Sequence, residues 1–391
     1  MGSMHDWIAG RARVRADRGT VRDTRGAAGL YDLASNDYLG LARDPRLAEA
    51  SRRAVAEFGA GAAASRVVTG TLPVHDELES ALRTLTGRDA ALVFSSGYTA
   101  NLGVLGALGG PGTLLVLDAH AHASLIDGAR LSRSPVETAR HNDAAHVREL
   151  LARRTVPRAV VVVESVYSVL GDAAPLRELA RACRELDALL VVDEAHSLGV
   201  HGAGAVHAAG LARDPDVVVT ATLSKALGAQ GGAVLAAGPP AEALREHLVN
   251  TARTFLFDTG LAPGPAAAAA EAARIVASEP GLPGSLAERS DRIAAALAGP
   301  GFESGTGAVH SVRVGDAAVA TAAAGELRAR GIAVGCFRTP SVPDGVSRLR
   351  VTARANQNAA DLDRALAEVA DVLRRSDRCA SDRPSREEAT A

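Results

Sequence analysis

Val217-Val218-Val219-Thr220-Ala221-Thr222-Leu223-Ser224-Lys225-Ala226-Leu227-Gly228-Ala229-Gln230-Gly231-Gly232 is the stretch that decides how this chain is read. A β-branched run ends, hydroxyls appear at Thr222 and Ser224, a lysine follows, and glycines close the segment. Hydroxyls beside the lysine suit a phosphate, and glycines let backbone approach a flat group closely. The lysine is singular. Lys and Arg together number 43, and Lys225 is the only lysine; the other 42 are arginine. A surface cation can be either type. A Schiff base with a carbonyl requires a primary amine able to lose its proton, which guanidinium does not do. A chance survivor is the competing reading of the count, so the surroundings of Lys225 have to carry the argument.

Outward from this stretch, short β-branched runs alternate with longer helical ones. The expected strands are Ala90–Phe94, Thr113–Leu117, Arg158–Glu164, Leu189–Asp193, Val217–Ala221 and Gly232–Ala236. Their continuous apolar character is that of strands buried on both faces. Helical segments such as Pro175–Leu186 intervene, which gives an α/β class with a mostly parallel central sheet flanked by helices. In such sheets ligands sit beyond the carboxyl ends of strands, and Ser96, His122, Ser168, Asp193 and Lys225 fall there.

An Ala/Gly/Pro-rich stretch, Leu261–Ala272, is expected to lead into a long connecting helix. A smaller C-terminal α/β unit should follow, with strands His310–Val314, Ile332–Phe337 and Arg348–Ala353. Its last helix has Leu362, Leu366, Val369 and Leu373 on one face. The expected division is an N-terminal segment 1–40, a large domain 41–272, a small domain 273–375 and a disordered tail 376–391. With 391 residues, 47% of them hydrophobic, the chain can bury a core of this size. A net charge of −2 leaves no nucleic-acid footprint. No apolar run approaches membrane-spanning length and no apolar signal core follows the N-terminal arginines, so the cytoplasm is the expected compartment. Cys183, Cys336 and Cys379 are widely separated, lack metal-ligand spacing and read as reduced thiols.

Three further motifs end strands. In Val192-Asp193-Glu194-Ala195-His196 a carboxylate is placed to keep a heterocyclic nitrogen protonated, with His196 close by; a strand-end acid capping a turn is the plainer alternative. Phe94-Ser95-Ser96-Gly97-Tyr98-Thr99-Ala100-Asn101 opens a helix, whose N-terminal N–H groups bind phosphate, although Ser96 also makes an ordinary N-cap. Asp118-Ala119-His120-Ala121-His122-Ala123-Ser124 sets His122 to stack on a ring. A His-x-His metal pair completed by Asp193, as in a metal-dependent hydrolase, is its rival, and it leaves Lys225 unexplained. The glycine run Gly59–Ala64 follows a helix rather than a strand, so it fails as a dinucleotide motif.

Together, and in this order, these motifs resemble the α-oxoamine synthases, a family of fold-type I pyridoxal-phosphate (PLP) transferases. The likeness runs from Leu33-Ala34-Ser35-Asn36-Asp37-Tyr38-Leu39-Gly40 to Arg348-Leu349-Arg350-Val351-Thr352. It implies a PLP enzyme that joins an amino acid to an acyl thioester with loss of CO2. Lys225 matches the Schiff-base lysine, Asp193 the partner of the pyridine nitrogen, and His122 the stacking histidine. His196 and Ser168 match groups near the phenolic oxygen. Ser96, Gly97, Tyr98 and Thr222 match the phosphate site, and Thr259 a phosphate contact given by the other subunit of a homodimer. Arg350 matches the arginine that grips the amino-acid carboxylate, while Asn36, Ser341 and Arg22 match substrate-side positions. Phe337–Pro343 and Ser347–Arg350 are most like the biotin-pathway branch. That branch implies L-alanine and a pimeloyl thioester of coenzyme A or acyl carrier protein; another amino acid or acyl group within the family is the alternative. Ala121, where the family often has Asn, and Val169-Leu170, where it often has Met-Asp, depart from the pattern without removing a catalytic group.

Overall fold

The computed structural model describes residues 3–22, 24, 26–339, 341–342 and 344–381. Among these residues twelve strands form two sheets: β1 (Tyr31–Leu33), β2 (Ala90–Phe94), β3 (Thr113–Asp118), β4 (Val136–Ala139), β5 (Arg158–Glu164), β6 (Leu189–Asp193), β7 (Val217–Thr222), β8 (Gly232–Ala236), β9 (Phe302–Glu303), β10 (Val309–Arg313), β11 (Ile332–Phe337) and β12 (Arg348–Thr352). The large sheet runs β2-β8-β7-β6-β5-β3-β4. Strands β7, β6, β5, β3 and β4 are parallel, and β8 is antiparallel to both of its neighbours. Every residue of β2, β3 and β8 is buried, as their unbroken apolar composition requires once helices cover both faces.

Strand β4 was not apparent in the sequence. It is an edge strand with three of four residues exposed, so no apolar run marks it. The small sheet runs β1-β11-β12-β10-β9. Its first strand comes from the N-terminal segment, pairing parallel to β11 with Tyr31 opposite Ile332. Residues 1–40 therefore do not stand apart: three of them complete the small unit. A three-residue strand is too short to show a period, and its partner lies some three hundred residues away.

The Ala/Gly/Pro-rich stretch does not merely precede a helix. Pro263–Ser278 is itself helical, with Pro263 in its first turn, and it packs on the helices Pro45–Phe58 and Pro73–Thr86. Its small residues allow close approach; a Cβ on Gly264 would stand 2.7 Å from Ser51 Oγ. The last helix, Ala359–Ser381, buries Leu362, Leu366, Val369 and Leu373 as expected. It also extends through 376–381, which corrects the expected tail; residues 382–391 and the side chain of Cys379 lie outside the described residues.

Carboxyl ends of β3, β5, β6 and β7 deliver Asp118, Glu164, Asp193 and Thr222 to one edge of the sheet. The turn after β7 returns through Gly228, whose N–H donates to Lys225 O at 2.9 Å. Gly228 has φ +61°, and an added Cβ would lie 2.4 Å from Ala42 N. Only glycine suits that left-handed, crowded position, which seats the lysine turn against Leu41–Ala42.

Candidate active site

Lys225 follows β7, and its Nζ lies 2.7 Å from His196 Nε2. His196 Nδ1 lies 2.7 Å from Tyr38 Oη. Tyr38 Oη donates to Asn36 Oδ1 at 3.1 Å, and Arg350 Nη2 donates to the same oxygen at 2.8 Å. Directions follow from proton counting. Asn36 Oδ1 only accepts, so the single Tyr38 hydroxyl proton is committed to it, and the Tyr38 oxygen must accept from His196 Nδ1–H. His196 Nε2 is then an acceptor facing Lys225. Burial holds the imidazole well below its usual pKa, reinforced by the charges of Lys225, Arg350 and His122, so the ring is neutral. Burial also pulls the Lys225 ammonium down to about 8, against the opposing pull of Asp193 and Glu164.

A second line of bonds holds Asp193. Its Oδ1 accepts from Ala195 N–H at 2.8 Å and its Oδ2 from Asn101 Nδ2 at 2.7 Å. The other Asn101 amide proton goes to Ser124 Oγ at 2.8 Å, and Ser124 Oγ is 2.8 Å from His122 Nδ1. Ser124 N–H also donates to His122 Nδ1, so that nitrogen is an acceptor and the ring carries its proton on Nε2. Glu164, opposite Asp193 in the β5–β6 register, is buried and accepts from Ser168 N–H at 3.2 Å. Burial, and then the neighbouring Asp193, push the Glu164 carboxyl well above its ordinary range.

Arg350 is 5% exposed and donates Nη1 to Ser168 O at 2.8 Å. Its guanidinium carbon stands 4.6 Å from the centroid of the Phe337 ring. The sequence expectation for Ser168 concerned its neighbourhood; its two backbone groups bridge Arg350 and Glu164. Arg22 Nη2 donates to Ser341 Oγ at 2.5 Å. These two residues line a cavity of about 510 Å³ together with Arg328, Arg338, Thr321 and Cys336.

The end of β7 meets the N-terminus of the helix Gly97–Leu108. Ser96 caps that helix by accepting from Thr99 N–H at 3.1 Å. A Cβ on Gly97 would lie 2.8 Å from Thr222 Cβ, so glycine lets the helix N-terminus reach the Thr222 hydroxyl, itself 2.8 Å from Ser224 Oγ. Tyr98 donates its hydroxyl to Asp127 Oδ2 at 2.7 Å. Thr259 is exposed and follows Asp258, which accepts from Ser95 Oγ of the same chain at 2.5 Å.

His120 does not join His122. It stacks on His141, with ring centroids 3.7 Å apart, and His141 spans Asp118 and Asp172 at 2.8 Å each. Among the described residues no group of three or more His, Cys, Asp or Glu could hold a metal ion. The sequence reading missed Asn101, Ser124, Tyr38 and Glu164 as parts of the site. Asn101 had a signal: a polar residue within Ala100-Asn101-Leu102-Gly103-Val104, an apolar helical run, is buried only with partners.

A lone amine, a cradle of N–H and hydroxyl donors, and a fixed carboxylate together fit a group that has a carbonyl, a phosphate and a basic ring nitrogen. The comparisons agree. The chain belongs to the aminotransferase class I and II family, whose sequence model matches residues 28–369, and its cofactor is pyridoxal 5'-phosphate. Within that class its curated relatives include 8-amino-7-oxononanoate synthases. That of Mycobacterium sp. (strain JLS) is 50% identical over 372 residues, covering 94% of this chain and 96% of the relative. That of Mycolicibacterium smegmatis is 49% identical over 373 residues, covering 94% and 96%. Among solved structures, the serine palmitoyltransferase of S. paucimobilis with a bound PLP–myriocin aldimine superposes with a TM-score of 0.86 at 30% identity, covering 95% of this chain and 98% of that one. Serine palmitoyltransferase of Sphingomonas wittichii gives 0.86 at 31%, covering 95% and 97%. An 8-amino-7-oxononanoate synthase from Francisella tularensis, at 23% identity and a TM-score of 0.73 over 88% of this chain and 98% of that one, shares the fold. No helix among the described residues is long and apolar enough to cross a membrane.

Proposed function

We propose that this protein is an 8-amino-7-oxononanoate synthase, condensing L-alanine with a pimeloyl thioester and releasing CO2 and the thiol. The observation that carries the reading is one-half identity to such synthases across 94% of the chain, a span that contains every residue of the two networks. Bound pyridoxal phosphate supplies the carbonyl that captures the amino group and a ring that accepts the electrons of the broken Cα–H bond.

The chain's own residues then divide the work. Arg350 grips the alanine carboxylate, and this fixes which Cα bond stands ready to break. Lys225, whose ammonium burial pulls down to about 8, is the base that would take the Cα proton. Asp193, held on both oxygens by Ala195 and Asn101, would be the counter-charge of the ring nitrogen. His122 would cover the ring, and His196 and Ser168 would lie toward its phenolic oxygen. Ser96, Gly97, Tyr98 and Thr222 hold the phosphate. Asn36, Arg22 and Ser341 stand on the substrate side. The arginine-lined cavity beside Arg22 and Ser341 suits the free carboxylate at the far end of a pimeloyl chain.

The proposal includes a cytoplasmic homodimer in which Thr259 serves the partner's phosphate site. Exposed apolar groups at Val68 and Phe257, each 72% accessible, support a covered surface on this side. Residues 41–272 and 273–375 are proposed as the large and small domains, the small one completed by β1. The deciding experiment pairs alanine, glycine and serine with pimeloyl and plain acyl thioesters, on coenzyme A and on acyl carrier protein. Turnover confined to alanine and a carboxylate-ended acyl group supports the reading; preference for serine or for a plain fatty acyl thioester overturns it.

A further inference from the structure

We propose that His141 is a positioning residue for the amino-acid carboxylate: by bridging Asp118 and Asp172 it fixes the hairpin of residues 166–173, on which Arg350 and the small sheet are seated. The inference rests on the role of Arg350 given above.

The hairpin follows β5 and closes through a bridge between Val166 and Ala173. Within it, Tyr167 N–H donates to Asp172 O at 2.9 Å and Gly171 N–H to Tyr167 O at 2.8 Å. Its tip meets the small sheet. Ser168 O accepts from Arg350 Nη1 at 2.8 Å, Val169 O from Ser311 Oγ at 2.5 Å, and Gly171 O from Thr306 N–H at 2.9 Å. Gly171 has φ +77°, and an added Cβ would lie 2.3 Å from Val309 O, so the two units meet backbone to backbone. Ser311 stands opposite Arg350 in the β10–β12 register, so these contacts fix where the small sheet presents Arg350. Each uses hairpin backbone, and none uses Lys225 or His196. Arg350 Nε is buried without a partner, so a carboxylate can be taken on that side while Nη1 stays on the hairpin.

Charge holds the base of the hairpin. His141 Nδ1 lies 2.8 Å from Asp118 Oδ1, and its Nε2 lies 2.8 Å from Asp172 Oδ2. Carboxylates only accept, so both nitrogens carry protons and the ring is an imidazolium. Asn142 adds its N–H to Asp118 Oδ2 at 2.9 Å and its Nδ2 to Asp172 Oδ2 at 2.7 Å. His120 stacks on the His141 ring, and Tyr167 meets it edge-on at 4.5 Å. Arg140 and Asp143, on the segment of His141 itself, pair with each other. His120 is held below its usual pKa by burial and then by the His141 charge, against the pull of Asp118, Asp172 and Asp344. Burial opposes the His141 charge too, but its two carboxylate bonds outweigh burial and hold it up at about 9. Loss of that proton turns a lone pair toward a carboxylate. Asp118 ends a buried strand, so Asp172 is the partner that moves, and the seat of Arg350 moves with it.

The test uses propionate, a carboxylate with no amino group to react, as an inhibitor competing with alanine on the holoenzyme. At pH 7, His141→Gln should weaken propionate by about threefold or more and raise KM for alanine alike, with kcat changed less. The ratio of native to variant affinity cancels titrations common to both proteins. It should fall toward one as pH rises through 9, because the contribution of a raised pKa is lost there. Asp172→Asn keeps an acceptor for His141 and removes one charge, so the pH at which propionate affinity falls should drop by about half a unit or more. Amides of residues 167–171 should exchange with D2O faster in both variants than in the native protein at pH 7, with or without cofactor. If His141→Gln does not fold, Asp172→Asn decides alone, and an unmoved pH profile in it overturns the proposal. Native propionate affinity in His141→Gln at pH 7, or a weakening equal at pH 7 and pH 10, overturns it as well. Failure of the underlying reading looks different: Arg350→Ala would then leave propionate affinity unchanged.

Discussion

Asp193→Asn tests the site most sharply, because both carboxylate oxygens are acceptors. Oδ1 takes the Ala195 N–H at 2.8 Å and Oδ2 takes Asn101 Nδ2 at 2.7 Å. An amide cannot satisfy both. Whichever way it turns, its NH2 meets a donor, in a pocket where Asp193 is 6% and Asn101 is 2% exposed. Losing one hydrogen bond to a charged group costs about 1.5–3 kcal/mol, and the holoprotein should be destabilised by that amount. Function should suffer separately, since a neutral side chain cannot hold a proton on the ring nitrogen. The two effects are separable by exchanging the pair. In Asp193→Asn/Asn101→Asp the new amide can donate to the new carboxylate and still accept from Ala195, so most of the lost stability should return. The charge now sits on the helix Gly97–Leu108 instead of at the end of β6, and activity should stay low. Unfolding midpoints give the first quantity, and Cα–H exchange of alanine in D2O followed by NMR gives the second. The reasoning is refuted if Asp193→Asn exchanges alanine at near-native rate, or if the exchanged pair recovers exchange as fully as it recovers stability.

Lys225→Ala should abolish both the visible band and turnover, and borohydride reduction of the native holoprotein should leave a pyridoxyl adduct on Lys225; retained turnover would remove Lys225 from the reaction. Arg350→Lys should raise KM for alanine at least tenfold with a smaller fall in kcat, because one ammonium cannot reproduce a planar fork that also stacks on Phe337; an unchanged KM would remove Arg350 from the carboxylate site. Gly97→Ala should weaken cofactor binding, measured by equilibrium dialysis, because its Cβ would sit 2.8 Å from Thr222 Cβ inside the cradle; native affinity would place the phosphate elsewhere. His141 supplies a pH test. Burial opposes its charge, yet its bonds to Asp118 and Asp172 prevail and hold it up at about 9. Its contribution should be fully present below pH 6.5 and fade as pH rises through 9, so the drop in unfolding midpoint between pH 7 and pH 10 should be smaller in His141→Gln than in the native protein.

What the sequence revealed of this site, and what it hid, divides along one physical line. Residues at strand ends were legible because a strand buried on both faces must be apolar, so the first polar residue past it is conspicuous. Asp193, Lys225, Thr222 and Ser96 all announce themselves in that way, and the lysine doubly so by being alone of its kind. The six strands of the large sheet that were legible share this contrast, whereas β4 lacks it because its residues face solvent. Asn101, Ser124 and Tyr38 gain their meaning only from contacts made across the fold. Asn101 reaches Asp193 92 positions later, and Tyr38 reaches His196 158 positions later. No local period encodes such distances. Their common consequence still follows from simple accounting. Each is a buried polar group, and each must be paired or cost the fold a hydrogen bond. Two lines of such pairs form, one ending at Lys225 and the other at Asp193 and His122. The apolar core leaves the orientations of these groups open. The proton count along the two lines fixes them, assigning Nδ1–H to His196 and Nε2–H to His122, so that two histidines in one pocket are held in opposite tautomers.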